Sequence, residues 1–215
     1  MKDTNFWIQR LLLLIIGFGS MMMVSCDDDD TNDSEDPDNI EEQTWEPYQL
    51  KANTAYDYDF SMTDEDNSYS GTARIEIGDP EVEVTGNLNG QDFNHISDSS
   101  DDINQNFISA VSQSPLGMTF YQPLMLNAFN DRTFEVGNAW SYSYEGSSIS
   151  FDITETITIA GIDGYVVETE FTDAESGEIL FWSMVVNQEI PLPLQFSADY
   201  GENETYYMEL TAYEE

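Results

Sequence analysis

The sequence predicts a mainly β protein: a single curved antiparallel meander, a half-barrel or open barrel with a short helical crossover, behind a signal peptide and an acidic disordered tether. Three observations predict it. Apolar residues recur at every second position over many short runs, turn residues separate those runs at hairpin spacing, and one central stretch changes to a helical period.

The first element is an address rather than a fold. Lys2 and Arg10 flank the start of an apolar run, Leu11 to Val24, that ends in Met23-Val24-Ser25-Cys26 and meets Asp27-Asp28-Asp29-Asp30. A positive n-region followed by a short apolar h-region is the pattern of a secretory signal. The run is too short to span, because a transmembrane helix needs about 20 apolar residues. Small Ser25 before the only cysteine of the chain matches the bacterial lipobox. Residues 1–25 therefore read as a lipoprotein signal peptide, with Cys26 as the lipidated N-terminus of the mature chain. Diacylation of the thiol with acylation of the new amine gives the two or more chains that hold where one would leak.

Residues 26–44 form the second element. Ten carboxylates lie between Asp27 and Glu42, with one proline and almost nothing apolar. Such a stretch repels itself and reads as a disordered tether. Asp27, Asp28, Asp29 and Asp30, placed directly after the cysteine, resemble the acidic export tag of surface lipoproteins of the Bacteroidota type. That resemblance implies display on the outer face of the outer membrane. In enteric-type sorting the same aspartates favour retention, which leaves a periplasm-facing location as the alternative.

The third element, residues 45–215, reads as one β-rich domain. Ile149, Phe151, Ile153, Ile157 and Ile159 alternate with Ser148, Ser150, Asp152, Thr154, Thr156 and Thr158, with Glu155 alone spoiling the apolar side. Similar alternation marks Tyr56-Tyr58-Phe60, Ala73-Ile75-Ile77, Val82-Val84, Trp140-Tyr142-Tyr144, Leu192-Leu194-Phe196 and Tyr206-Met208-Leu210. Leu180 to Val186 is more uniformly apolar and is expected mid-sheet, covered on both sides. Gly78-Asp79-Pro80, Asn89-Gly90, Glu145-Gly146-Ser147, Gly161 to Gly164, Ser176-Gly177 and Gly201-Glu202-Asn203 supply the turns.

Between residues 101 and 137 the period changes. Asp101 or Asp102 is placed to cap a helix from Ile103 to Gln113, with Ile103, Phe107, Ala110 and Val111 along one stripe before Ser114-Pro115. Leu116 to Leu126 is apolar and proline-bounded, suited to lie across the sheet as a plug or lid. The order of strands, crossover, Gly137-x-x-Trp140 strand start, Asp163-Gly164-Tyr165 hairpin and Phe181-Trp182 strand before Pro191-Leu192-Pro193-Leu194 resembles the lipoprotein-carrier (LolA-like) half-barrel. The resemblance implies a hollow that holds acyl chains or other apolar ligands, and it transfers no binding residue.

Composition narrows the functions. Without residues 1–25, which hold Lys2, Arg10 and Asp3, the chain keeps Lys51, Arg74 and Arg132 against 42 carboxylates, a formal charge of −39. With no basic stripe there is no expectation of a nucleic-acid partner. Net charge of this size maintains solubility in a saline exterior at a cost in stability. Asp64 to Ser68 and Asp98 to Asp102 lack the glycine and twelfth-position carboxylate of a calcium loop, so divalent cations are expected to bind only non-specifically. The lone His95 has no cysteine or serine-elbow partner, and no phosphate loop or metal spacing occurs. No catalytic residue, no metal site and no cofactor is nominated, and an enzyme is not expected.

Two readings follow. In the first, a lipid-anchored extracytoplasmic lipoprotein binds an apolar or amphiphilic molecule inside the curved sheet, with Trp140, Phe151, Trp182, Phe120 and Leu124 as lining. In the second, a surface structural or protein-interaction domain has no ligand cavity. The partners expected are the membrane, reached through Cys26, and, under the first reading, the apolar or amphiphilic small molecule.

Overall fold

The structure is a computed structural model that describes residue 45 and residues 49–64, 66–117, 129–174, 176–199 and 204–215. The signal peptide, Cys26, the acidic tag and tether, Phe120, Leu124 and most of the expected lid lie outside the described residues. Among these residues no helix is long and apolar enough to cross a membrane.

Ten strands run β1 Thr54–Thr63, β2 Ser68–Ile77, β3 Val82–Leu88, β4 Gln91–Ser97, β5 Ala139–Tyr144, β6 Ser147–Ile159, β7 Ile162–Thr172, β8 Ile179–Val186, β9 Gln195–Asp199 and β10 Thr205–Glu214, with helix α1 at Ile103–Ser112. They form one open antiparallel sheet in the order β4-β3-β2-β1-β10-β9-β8-β7-β6-β5. The meander has two arms. The chain walks from β1 out to one edge at β4, crosses with α1 to the opposite edge at β5, and returns until β10 pairs with β1.

Two-residue turns fix the hairpins. Asn89-Gly90, Glu145-Gly146 and Ala160-Gly161 all have positive φ at both positions, the type I′ geometry whose twist matches that of the strands. The last of these corrects the expected turn at Gly161 to Gly164, since Ile162 already belongs to β7. Likewise β9 starts at Gln195, and Leu192 and Leu194 are buried in the preceding coil rather than in a strand.

Glu155 is explained by a bulge. Pairing of β6 with β7 runs Phe151 to Thr169 and Ile153 to Val167, then skips Thr154 and matches Glu155 to Val166. The extra residue moves Glu155 off the buried face, and it is exposed. β6 and β10 stand four positions apart in the sheet, about 19 Å if it were flat. Their Cα atoms nevertheless approach within 8 Å, so the sheet coils strongly.

One face carries the core. Tyr56, Tyr58 and Phe60 of β1, Ile75 and Ile77 of β2, Ile149, Phe151 and Ile153 of β6, and Met208 and Leu210 of β10 are all buried in one cluster. α1 covers the β3–β4 end of it with Phe107, Ala110 and Val111, after Asp102 accepts from the Asn104 N–H at 2.9 Å as the N-cap. Asn106 lies fully buried on the same helix face. Its amide donates to the Pro80 and Ser100 carbonyls at 2.8 and 2.7 Å and accepts from Ser97 Oγ and the Ser100 N–H at 3.2 and 3.1 Å. Every polar atom of the side chain is used, which ties α1 to the β2–β3 connection and to the end of β4. Asn106→Ala is expected to lower the unfolding free energy by about 2–3 kcal/mol, because it strands buried partners. A urea titration showing a loss below about 0.5 kcal/mol, the level of an ordinary surface change, would contradict this.

Candidate functional site

The opposite face of the β6–β10 arm carries a groove of about 630 Å³. Its lining comes in triplets: Glu168-Thr169-Glu170, Phe181-Trp182-Ser183, Ser197-Ala198-Asp199 and Thr205-Tyr206-Tyr207, with Ser150 and Asp152. The middle residue of each triplet is buried on the core face. Since successive side chains of a strand point to opposite faces, the middle residues give the floor its backbone. The flanking residues project outward into the groove.

Register sorts those flanking side chains into two rows. One runs Ser150, Glu170, Phe181, Asp199, Thr205, and the other Asp152, Glu168, Ser183, Ser197, Tyr207. Asp152 therefore stands directly opposite Glu168, and Glu170 follows two residues along the same face. Opposed like charges are destabilising. Among the described residues no ion pair or side-chain hydrogen bond reaches Asp152, Glu168 or Glu170.

Two aromatic side chains complete the groove. Phe181 is 54% exposed and Tyr207 39%. The Tyr207 hydroxyl donates to Glu209 and accepts from Gln195 Nε2 at 2.9 Å. Partial burial first, then the Glu209 carboxylate, pushes this phenol up to about 12. Tyr207 is therefore a neutral, oriented side chain at any physiological pH.

Of the three described residues nominated from sequence as ligand lining, Trp140 and Phe151 are not part of the groove, and Trp182 contributes to its floor while being buried on the core face. Trp140 stacks on Phe151 with ring centroids 5.3 Å apart and 16° between planes. Phe129 closes edge-on against both at 5.6 Å, and Phe134 and Trp45 pack against Phe129 at 5.4 and 5.6 Å. Phe151 is 1% exposed. Trp182 sits two strands away in the row Phe151, Thr169, Trp182, Ala198. Trp140 and Phe151 thus fill a corner of the core. Sequence reading missed the groove because it took Leu180 to Val186 as covered on both faces. That holds for Met184, Val185 and Val186, while Phe181 and Ile179 are exposed. The available signal was the pair Glu168 and Glu170, whose register dictates what β8 presents beside them.

His95 stands on β4 opposite Val84, with its ring 6.1 Å from that of Phe93. Among the described residues no group of three or more His, Cys, Asp or Glu side chains is placed to hold a metal ion.

No family profile and no curated protein matches the chain. Among solved structures it is similar to an exported protein of YmcC-like fold from Bacteroides fragilis, at 12% identity, covering 80% of this chain and 99% of that one, with a TM-score of 0.32. It is also similar to the hypothetical lipoprotein YmcC from Escherichia coli, at 14% identity over 73% and 84% of the two chains, TM-score 0.34. A third is a lipoprotein from Parabacteroides distasonis, at 10% identity over 80% and 100%, TM-score 0.33.

Proposed function

We propose that this chain is a lipid-anchored extracytoplasmic interaction protein, held in the outer membrane by acyl chains on Cys26 and presenting the outward face of β6–β10 to a partner. The observation that carries the reading is the position of the groove. It opens on the polar face with Phe181 and Tyr207 exposed, while Trp140 and Phe151 are packed against each other. Exposed aromatic groups lining one groove, rather than scattered singly, support a binding face. The anchor and tether leave the domain free to reach outward, with Asp27 to Asp30 as the surface tag.

Cys26→Ala is expected to move the protein from the membrane to the soluble fraction, and its persistence with membranes would overturn the anchor. Protease added to intact cells is expected to digest the domain. Protection until the outer membrane is opened would place it on the periplasmic side.

One observation favours the apolar-ligand reading. Thr169 and Trp182 are register partners on β7 and β8, and their buried Oγ1 and Nε1 atoms have no hydrogen-bond partner among the described residues. Buried polar groups are normally satisfied, and the polar end of an amphiphile reaching the core face would satisfy them. Tryptophan emission during titration with palmitate separates the readings. The interaction protein leaves it unchanged, whereas a saturable shift lost in Trp182→Phe supports the ligand.

A further inference from the structure

We infer that the groove docks a basic, extended segment of a partner protein, seating a guanidinium or ammonium group over Phe181 between Glu170 and Asp199. This rests on the interaction reading above and names the chemistry of the partner. Charge complementarity carries it. The described residues contain three cations, and each is already engaged away from the groove. Lys51 pairs with Glu215 at 3.0 Å. Arg74 gathers Asp57, Glu76 and Glu214 at 2.7, 2.7 and 2.9 Å. Arg132 donates to the Tyr142 hydroxyl at 3.2 Å. Asp152 and Glu168 are left opposite each other on the groove wall, with Glu170 two residues along the same face, and a cation supplied from outside relieves the repulsion in this acidic row.

The aromatic group makes the cation an organic one. Phe181 lies between Glu170 and Asp199 on adjacent strands, where side chains directly opposite each other stand about 5 Å apart at Cβ. A guanidinium within about 6 Å of the ring meets the π face while its N–H groups reach both carboxylates. A hydrated divalent ion has no use for the ring. The groove's volume matches organic ligands rather than single ions. Its open form across five strands suits a chain passing through, with the hydroxyls of Ser183 and Ser197 on its lining to meet polar groups of that chain.

The test uses the full mature chain carrying Cys26→Ala, titrated with a blocked hexapeptide of alternating arginine and serine, its citrulline counterpart, and spermine. The arginine peptide is expected to bind, more weakly as salt rises, and the citrulline peptide about tenfold less tightly or not at all. Phe181→Ser, and separately Glu168→Gln with Glu170→Gln, should each weaken arginine-peptide binding about tenfold. Removing two carboxylates elsewhere, Glu81→Gln with Glu83→Gln, should change it less than about twofold, as long-range charge alone does. All five positions are exposed or half-buried, so folding is retained, and the double glutamine variant stands if the serine variant does not fold. Equal losses from both carboxylate pairs reduce the effect to net charge and overturn the site. Spermine binding as tightly as the peptide overturns the protein segment in favour of a small polyamine. A saturable palmitate response sinks the interaction reading itself, whereas equal binding of arginine and citrulline peptides with palmitate silent overturns only the cationic occupant.

Discussion

Phe151→Ala is expected to lower the unfolding free energy by about 3–5 kcal/mol, the cost of a large cavity in a packed core. The side chain is 1% exposed, with Trp140 stacked on one face at 5.3 Å and Phe129 edge-on at 5.6 Å. Aromatic pairs at these separations contribute beyond the area they bury. The substitution also discriminates between functions. In a hollow that a ligand fills, the ring would border open space and its loss would cost the empty protein about 1 kcal/mol, close to the centre of ordinary substitutions. A urea titration giving the larger loss supports the filled core, and a loss near 1 kcal/mol supports a ligand space.

Gly71→Ala and Gly86→Ala are each expected to cost about 3 kcal/mol or more, at the severe end of single substitutions. Here backbone contact, not side-chain burial, sets the size. A Cβ on Gly71 would stand 1.9 Å from the Asn87 carbonyl oxygen, and one on Gly86 would stand 2.1 Å from that of Thr72. Both oxygens belong to the paired strands β2 and β3, so relief requires parting the ladder. Glycine inside a strand often marks such an approach. Gly90→Asn is the control. Gly90 has φ +82 and nothing within 4 Å of an added Cβ, so only the left-handed backbone opposes asparagine, the residue that best tolerates it after glycine, and this change is expected to cost about 1 kcal/mol. Equal losses at Gly86 and Gly90 would contradict the argument.

Period-two patterning exposed most of the fold because one face of the sheet is buried and the other wet. Tyr56, Tyr58 and Phe60 report β1 directly, and Asp102 with the Phe107, Ala110, Val111 stripe reports α1. β4 was hidden because its alternation is diluted. Phe93 and His95 face Gly86 and Val84 near the sheet edge, while Ile96 on the other side is half exposed. The start of β7 was mistaken for a turn because Gly164 sits inside the strand, where an added Cβ would meet Val185 Cγ1 at 2.7 Å. The two-armed strand order was out of reach for a different reason. Pairing of β1 with β10 joins the ends of the domain, and no local pattern encodes so distant a register.

The candidate site was legible only in part. Trp140, Phe151 and Trp182 were read from sequence as the lining of a hollow, and inward-facing aromatics fill a core and line a cavity with the same periodicity. What separates the two is packing against Phe129 and Phe134, residues that arrive from a segment with no regular period. The groove depends on five strands in register. Glu168, Glu170, Phe181 and Asp199 become neighbours only once β7, β8 and β9 are paired.

The measurement that bears most directly on the central claim is the native mass of the full mature chain, carrying Cys26→Ala and produced in a lipid-containing host, compared with its denatured mass. A filled core face with its binding surface outside predicts the polypeptide mass alone in both. A reproducible extra mass in the native protein, released by organic extraction, would contradict it and place the function inside the sheet.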